Sequence, residues 1–116
     1  MSKQERNTRL FLADILQAAY EITQYAALDK SAFLMDRMRQ RAVVQCFEIM
    51  GEATKKLPQT LRAAHNEIPW KYMAAFRDKL IHDYFEIDMH LVWTSAQREI
   101  PQLIPLLETL LKEIPE

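Results

Sequence analysis

One glycine, one cysteine and no long apolar run limit what this 116-residue chain can be. The lone Gly51 excludes a P-loop and a dinucleotide fingerprint, each of which needs several glycines to let the backbone cradle phosphates. The lone Cys46 excludes an intrachain disulfide framework and any C-x-x-C zinc or redox motif. No apolar stretch approaches the roughly 18 residues of a membrane span. The opening residues Met1-Ser2-Lys3-Gln4-Glu5-Arg6 are polar, so a cytoplasmic protein, neither exported nor inserted in a membrane, is expected. Charge is unbiased as well: 15 Lys and Arg against 16 Asp and Glu leave a formal net charge of −1. Any nucleic-acid contact must therefore come from a local patch rather than from a field of the whole molecule. Cations are denser in the first two-thirds, among them Arg37, Arg39, Arg41, Lys55, Lys56, Arg62, Lys71, Arg77 and Lys79, and solvated helix surface accounts for most of them.

The three histidines, His65, His82 and His90, are scattered and show no H-E-x-x-H or comparable ligand spacing, so neither a metal nor another cofactor is expected. A serine triad lacks its nucleophile elbow. Cys46 falls on an apolar helix face, where a buried structural thiol is expected.

What the chain does have is helical periodicity from end to end. Leu12, Ile15, Leu16, Ala19, Ile22 and Ala26 recur at helical spacing and predict an amphipathic helix over about 7–27. Asp29 or Ser31 can cap a short turn after it. A second long helix, about 36–57, carries apolar residues over more than half its circumference, including Met38, Val43, Cys46, Phe47, Ile49, Met50 and Ala53. That is wider than a surface helix requires, and burial by both its own bundle and a second copy of the chain would explain it. Gly51 inside this helix costs about 1 kcal/mol relative to alanine, and a close helix approach is the natural compensation. Pro58 ends the helix, a short piece follows over 59–66, and Pro69 suits the first turn of a central helix. Asp88 can cap the next helix, with Met89, Val92, Trp93 and Ala96 inward. Pro101 and Pro105 then kink or restart the chain before a last amphipathic helix rich in leucine. The expected fold is a single all-α domain over 1–116, an antiparallel bundle of four to five helices with short connections.

Polar chemistry concentrates in Phe76-Arg77-Asp78-Lys79-Leu80-Ile81-His82-Asp83-Tyr84-Phe85, which contains the pattern R-x-x-x-x-H-x-Y. On a continuous helix Arg77 and Tyr84 lie about 20° apart, and the face they share is apolar, so the Arg77 guanidinium demands an anionic partner or a cleft. Glu48 and Glu52, like charges at i and i+4, can supply that partner or stand solvated. His82 sits about 140° from Arg77, within reach of Asp78 one turn back. One site using both Arg77 and His82 needs a distorted helix, the long reach of arginine, or a second copy of the chain. Histidine and arginine together suit metal-free cleavage of RNA, in which a ribose 2′-hydroxyl is deprotonated and attacks its own 3′-phosphate. Histidine moves the proton near neutral pH, and arginine binds the charge on the phosphorane in a fork. Tyr84 can position a phosphate or simply pack, and spacing alone leaves a purely structural role open for the whole set.

These residues, together with Glu48-Ile49-Met50-Gly51-Glu52-Ala53, Ile68-Pro69-Trp70 and Asp88 with Val92-Trp93, resemble the HEPN superfamily. Within it they are similar to the HepT-like toxins paired with MNT-type nucleotidyltransferase antitoxins, and the resemblance covers nearly the whole chain. It implies an all-α bundle that forms a homodimer, so that two arginine–histidine motifs line one cleft and act as a metal-independent ribonuclease on RNA. It implies catalytic roles for Arg77 and His82, and Asp78 fills the polar place after the arginine, with Glu48 and Glu52 as candidate supporting residues. It implies Tyr84 as the residue that the antitoxin modifies with AMP, adding phosphate charge and bulk beside Arg77 and His82. A HEPN protein can also act as a partner or substrate-holding subunit of the nucleotidyltransferase, with little nuclease activity of its own.

Overall fold

The structure, a computed structural model, describes residues 2–114, and among these it contains seven helices and no strand. Four helices begin at a side-chain cap that satisfies an otherwise orphaned backbone N–H. In α1 (Lys3–Tyr25) the Ser2 hydroxyl accepts from the Glu5 N–H at 3.1 Å. The helix thus starts four residues before the apolar periodicity suggests. Asp29 caps the short α2 (Lys30–Leu34) through the Ala32 N–H, and Asp36 caps α3 (Arg37–Lys55) through the Arg39 N–H. The short α4 (Gln59–Ala64) follows Pro58, and α5 (Trp70–His82) follows Pro69, which occupies the position before the helix rather than its first turn. Asp88 caps α6 (Met89–Arg98) by accepting from the His90 and Leu91 N–H groups.

Helix α7 (Ile100–Glu113) runs unbroken through Pro105, with Pro101 in its first turn. The two prolines therefore neither restart nor end the chain. Both are exposed, where water can take the carbonyl that Pro105 leaves without a donor.

Helix α1 lies against α3 and α7, and both pairs are antiparallel. Arg39 at the start of α3 donates to the Tyr25 carbonyl at the end of α1 (3.0 Å), while Lys56 just past α3 sits 5.8 Å from the Phe11 ring. Arg9 donates to the carbonyls of Leu111 and Ile114 at the end of α7, whereas Tyr20 hydrogen-bonds Glu108 further back. Leu12, Ile15, Ala19 and Ile22 of α1, Val43 and Met50 of α3, and Leu103, Leu107 and Leu110 of α7 fill the interior. Helix α6 is pinned to the turn after α1, since Trp93 Nε1 donates to the Leu28 carbonyl and Gln97 Nε2 to the Ala26 carbonyl. Val92 and Ala96 face inward as expected, with Met89 and Trp93 half-buried beside them.

The wide apolar face of α3 is divided. Val43, Cys46, Phe47, Met50 and Ala53 are buried, whereas Ile49 is exposed and Met38 is 81% exposed. No described helix is long and apolar enough to cross a membrane.

Candidate functional site

The site is built where α5 crosses α3. Trp70, Met73, Phe76 and Leu80 form the buried row of α5, and Phe76 packs edge-on against Phe47 of α3 with ring centroids 4.8 Å apart. Packing that row down turns the next residue, Arg77, along the surface of α3. There Gly51 has no side chain to obstruct it, and α5 comes close enough for the Arg77 stem to lie on the α3 backbone.

The Arg77 guanidinium is shared between two carboxylates. Nη2 meets Glu52 at 2.9 Å, and Nη1 meets Asp78 at 3.1 Å. Lys55, one turn beyond Glu52 on α3, also donates to the same Asp78 oxygen. Lys55 above all, and then Arg77, hold the Asp78 carboxyl below the usual carboxylate range. Arg77 Nε is buried with no hydrogen-bond partner, while the side chain as a whole retains 25% of its accessible surface. Arg77 is one of the residues lining an open groove, together with Asp14 of α1, Glu48, Glu52 and Lys56 along and just past α3, and Ile81 of α5.

Of the two carboxylates read as candidate partners of Arg77, Glu52 takes the arginine. Glu48 stands beside it in the groove with no hydrogen bond or ion pair among the described residues. Asp78, read as a possible orienter of His82, has its bonded oxygen on Lys55 and Arg77 instead. The competition is decided by charge, because two cations converge on that oxygen. Lys55 was legible only as one of several cations on solvated helix surface. Its partner lies 23 residues away, and only the α3–α5 crossing brings them together.

His82 is the last residue of α5 and is exposed. The helix is α-helical from Trp70 to His82 with no break, so the local distortion that would swing His82 toward Arg77 is absent. Five residues of regular helix leave the two side chains about 140° apart in rotation and about 7.5 Å along the axis. Asp83 then closes the helix, its N–H bonding the Lys79 carbonyl, and Tyr84 lies in the following turn. The 20° relation between Arg77 and Tyr84 required a helix continuing to Tyr84 and does not hold. Tyr84 is 66% exposed and its ring meets Phe85, itself 95% exposed, edge-on at 5.1 Å.

Cys46 is buried between α3 and α1, and burial, with Glu21 nearby, pushes its thiol up to about 11. It is a packing residue. Among the described residues no three His, Cys, Asp or Glu side chains converge as a ligand set.

The sequence of residues 15–110, which holds Gly51, Arg77 and His82, matches the family described as Ribonuclease HepT-like. The chain belongs to the HepT-like family. HepT-like proteins are ribonucleases of the HEPN superfamily, and the relatives agree. A candidate RNase of Methanocaldococcus jannaschii is 37% identical over 113 residues, covering 97% of each chain. A protein of Thermococcus cleftensis named probable ribonuclease HepT is 38% identical over 109 residues, covering 93% of this chain and 99% of its own. A candidate RNase of Caldanaerobacter subterraneus subsp. tengcongensis is 38% identical over 110 residues, covering 94% of this chain and 95% of its own. No solved structure matches the chain.

Proposed function

We propose that this HepT-like chain is the toxin of a HEPN/MNT toxin–antitoxin pair, a metal-independent endoribonuclease that uses Arg77 and His82. The observation that carries the reading is the placement of Arg77. Its guanidinium is oriented by Glu52 and Asp78 at the lip of an open groove, five residues before an exposed His82. In the proposed reaction His82 takes the proton of a ribose 2′-hydroxyl, and the 2′-oxygen forms a bond to the adjacent phosphorus. The bond from phosphorus to the 5′-oxygen breaks, and that oxygen takes a proton from water to leave as a 5′-hydroxyl, while the resulting hydroxide takes the proton held by His82; a 2′,3′-cyclic phosphate remains. Arg77 offsets the charge that builds on the phosphorane oxygens. The unbroken helix, which keeps the two side chains on diverging faces, supports a homodimer in which each site draws on both copies.

Neutralisation follows from the same surface. Tyr84 is exposed in a turn two residues past His82, accessible to an MNT-type nucleotidyltransferase. An adenylate on its hydroxyl carries phosphate charge that competes with RNA for Arg77.

A second reading, a catalytically weak partner subunit of the nucleotidyltransferase, is favoured by one fact: both Arg77 terminal nitrogens are already held by carboxylates of the same chain. The deciding experiment is cleavage of total cellular RNA by purified protein in EDTA, comparing wild type with His82→Ala. Cleavage present in wild type and lost in a folded His82→Ala protein supports the nuclease. Equal cleavage by the variant removes His82 from the mechanism, and none by unadenylated wild type favours the partner subunit.

A further inference from the structure

The twelve residues from Lys30 to Arg41 carry Lys30, Arg37, Arg39 and Arg41 against Asp36 alone, a local charge of +3 in a chain of net −1. The fold uses only one of the three arginines. Arg39 bonds the Tyr25 carbonyl and pairs with Asp36. Arg37 and Arg41 are exposed and have no hydrogen bond or ion pair among the described residues. As i and i+4 neighbours of like charge they repel one another, so stability of α3 does not account for them.

Their direction is informative. At 100° per residue Arg37, Arg41, Gln45, Glu48, Glu52 and Lys55 fall within about 80° of one another, the sector of α3 left open between α1 and α5. One exposed strip therefore runs from Arg37 to Glu52, where Arg77 lies. Arg41 is about 16 Å along the axis from Glu52. Beside the arginines Met35 is 85% exposed and Met38 81% exposed, flexible apolar side chains with nothing from this chain over them.

We propose that Arg37 and Arg41 form a second phosphate-binding site, which holds single-stranded RNA whose other contact is Arg77. The inference rests on the ribonuclease reading and extends it to how the substrate lies. A single row of cations along one helix follows one backbone, whereas a duplex presents phosphates on two. Met38, 60° round the helix from Arg41, gives unstacked bases an apolar surface. Glu48, unpaired in the middle of the strip, repels a backbone there, so the strand is held at its two ends.

The test is binding of a labelled 2′-O-methyl oligonucleotide of about twelve residues, which has no hydroxyl to attack, across about 50 to 200 mM salt. Removing two phosphate contacts by Arg37→Ala with Arg41→Ala lowers the slope of log affinity against log salt by about 1.4, because each contact on a single strand contributes about 0.7. The same pair changed to lysine keeps the slope, and Glu48→Gln tightens binding. Unchanged affinity and slope in the alanine pair, or no binding by wild type, overturns the proposal. So does an alanine pair that binds RNA normally but halves in mass by light scattering, which assigns the strip to a second copy. The EDTA cleavage assay is read separately. A slope change without wild-type cleavage keeps this site and rejects the nuclease, whereas cleavage without a slope change does the reverse.

Discussion

Gly51 and Arg77 share one point in the packing: a Cβ added to Gly51 would lie 2.1 Å from the Arg77 Cβ, 2.7 Å from its Cγ and 2.9 Å from the Met73 carbonyl oxygen. The obstruction is the root of a side chain and a backbone oxygen, neither of which can rotate away. The glycine that weakens α3 as a helix is thus what allows Arg77 to lie on it.

Gly51→Ala sets two effects against each other. Alanine improves helix propensity by about 1 kcal/mol, whereas forcing α5 off α3 costs about 1–3 kcal/mol or more. The steric term wins, so the melting temperature followed by circular dichroism falls by several degrees, and RNA cleavage falls with it. A rise in melting temperature would mean that the helices part at no cost.

Asp78 gives a pH dependence of known sign. Its carboxyl titrates lower in the folded chain than in the unfolded one, because Lys55 and then Arg77 bind its charged form. The stabilisation is therefore complete above the usual carboxylate range and disappears as pH falls through the lowered value. Asp78→Asn removes that part of the acid limb of stability in urea titrations from pH 7 to 3. In Lys55→Met the Asp78 carboxyl, followed by NMR, titrates higher than in wild type. The group is exposed, so the change in stability is small.

Glu52→Gln releases one of the two carboxylate partners of Arg77. On the ribonuclease reading a phosphate then no longer competes with Glu52 for the guanidinium. Affinity for a 2′-O-methyl oligonucleotide rises several-fold, while stability falls by roughly 0.2–1 kcal/mol as for other exposed pairs. Weaker binding in this variant would make Glu52 a positioning residue that RNA leaves in place.

Cys46 stays unmodified in the native state. Its thiol, raised to about 11 from 9.0, is neutral at pH 8, and only the thiolate reacts. Mass spectrometry after iodoacetamide shows one added group in denaturant and none without it. Between about pH 9 and 11 the unfolded thiol ionises while the folded one does not, so stability declines across that window.

Tyr84→Phe removes the hydroxyl that the adenylation proposal requires. On that proposal, wild type incubated with ATP and an MNT-type nucleotidyltransferase gains adenylate mass and the variant gains none. Adenylate found on the variant would move the modification to another residue.

Much of this was written in local patterns. Apolar residues at helical spacing mark α1, α3 and α7, and Asp29 and Asp88 announce their helices, because periodicity and capping act over a few neighbouring residues. The earlier start of α1 was also legible: Ser2 and Glu5 stand three apart, the spacing of a capping box. The R-x-x-x-x-H-x-Y pattern names Arg77, His82 and Tyr84 as candidates from neighbouring positions alone, and Gly51 was legible as a place of close approach, where α5 meets α3. Which carboxylate Arg77 meets, why Asp78 turns to Lys55, and where α5 stops before Tyr84 depended on α3 and α5 crossing. Glu52 and Arg77 are 25 residues apart in the chain and 2.9 Å apart in space, and packing of the Phe47 and Phe76 rows brings them together. Sequence by itself determined the helices and the chemical groups they carry, because those depend on near neighbours. Tertiary structure alone decided which charges pair, because that depends on where buried apolar faces force the helices to meet.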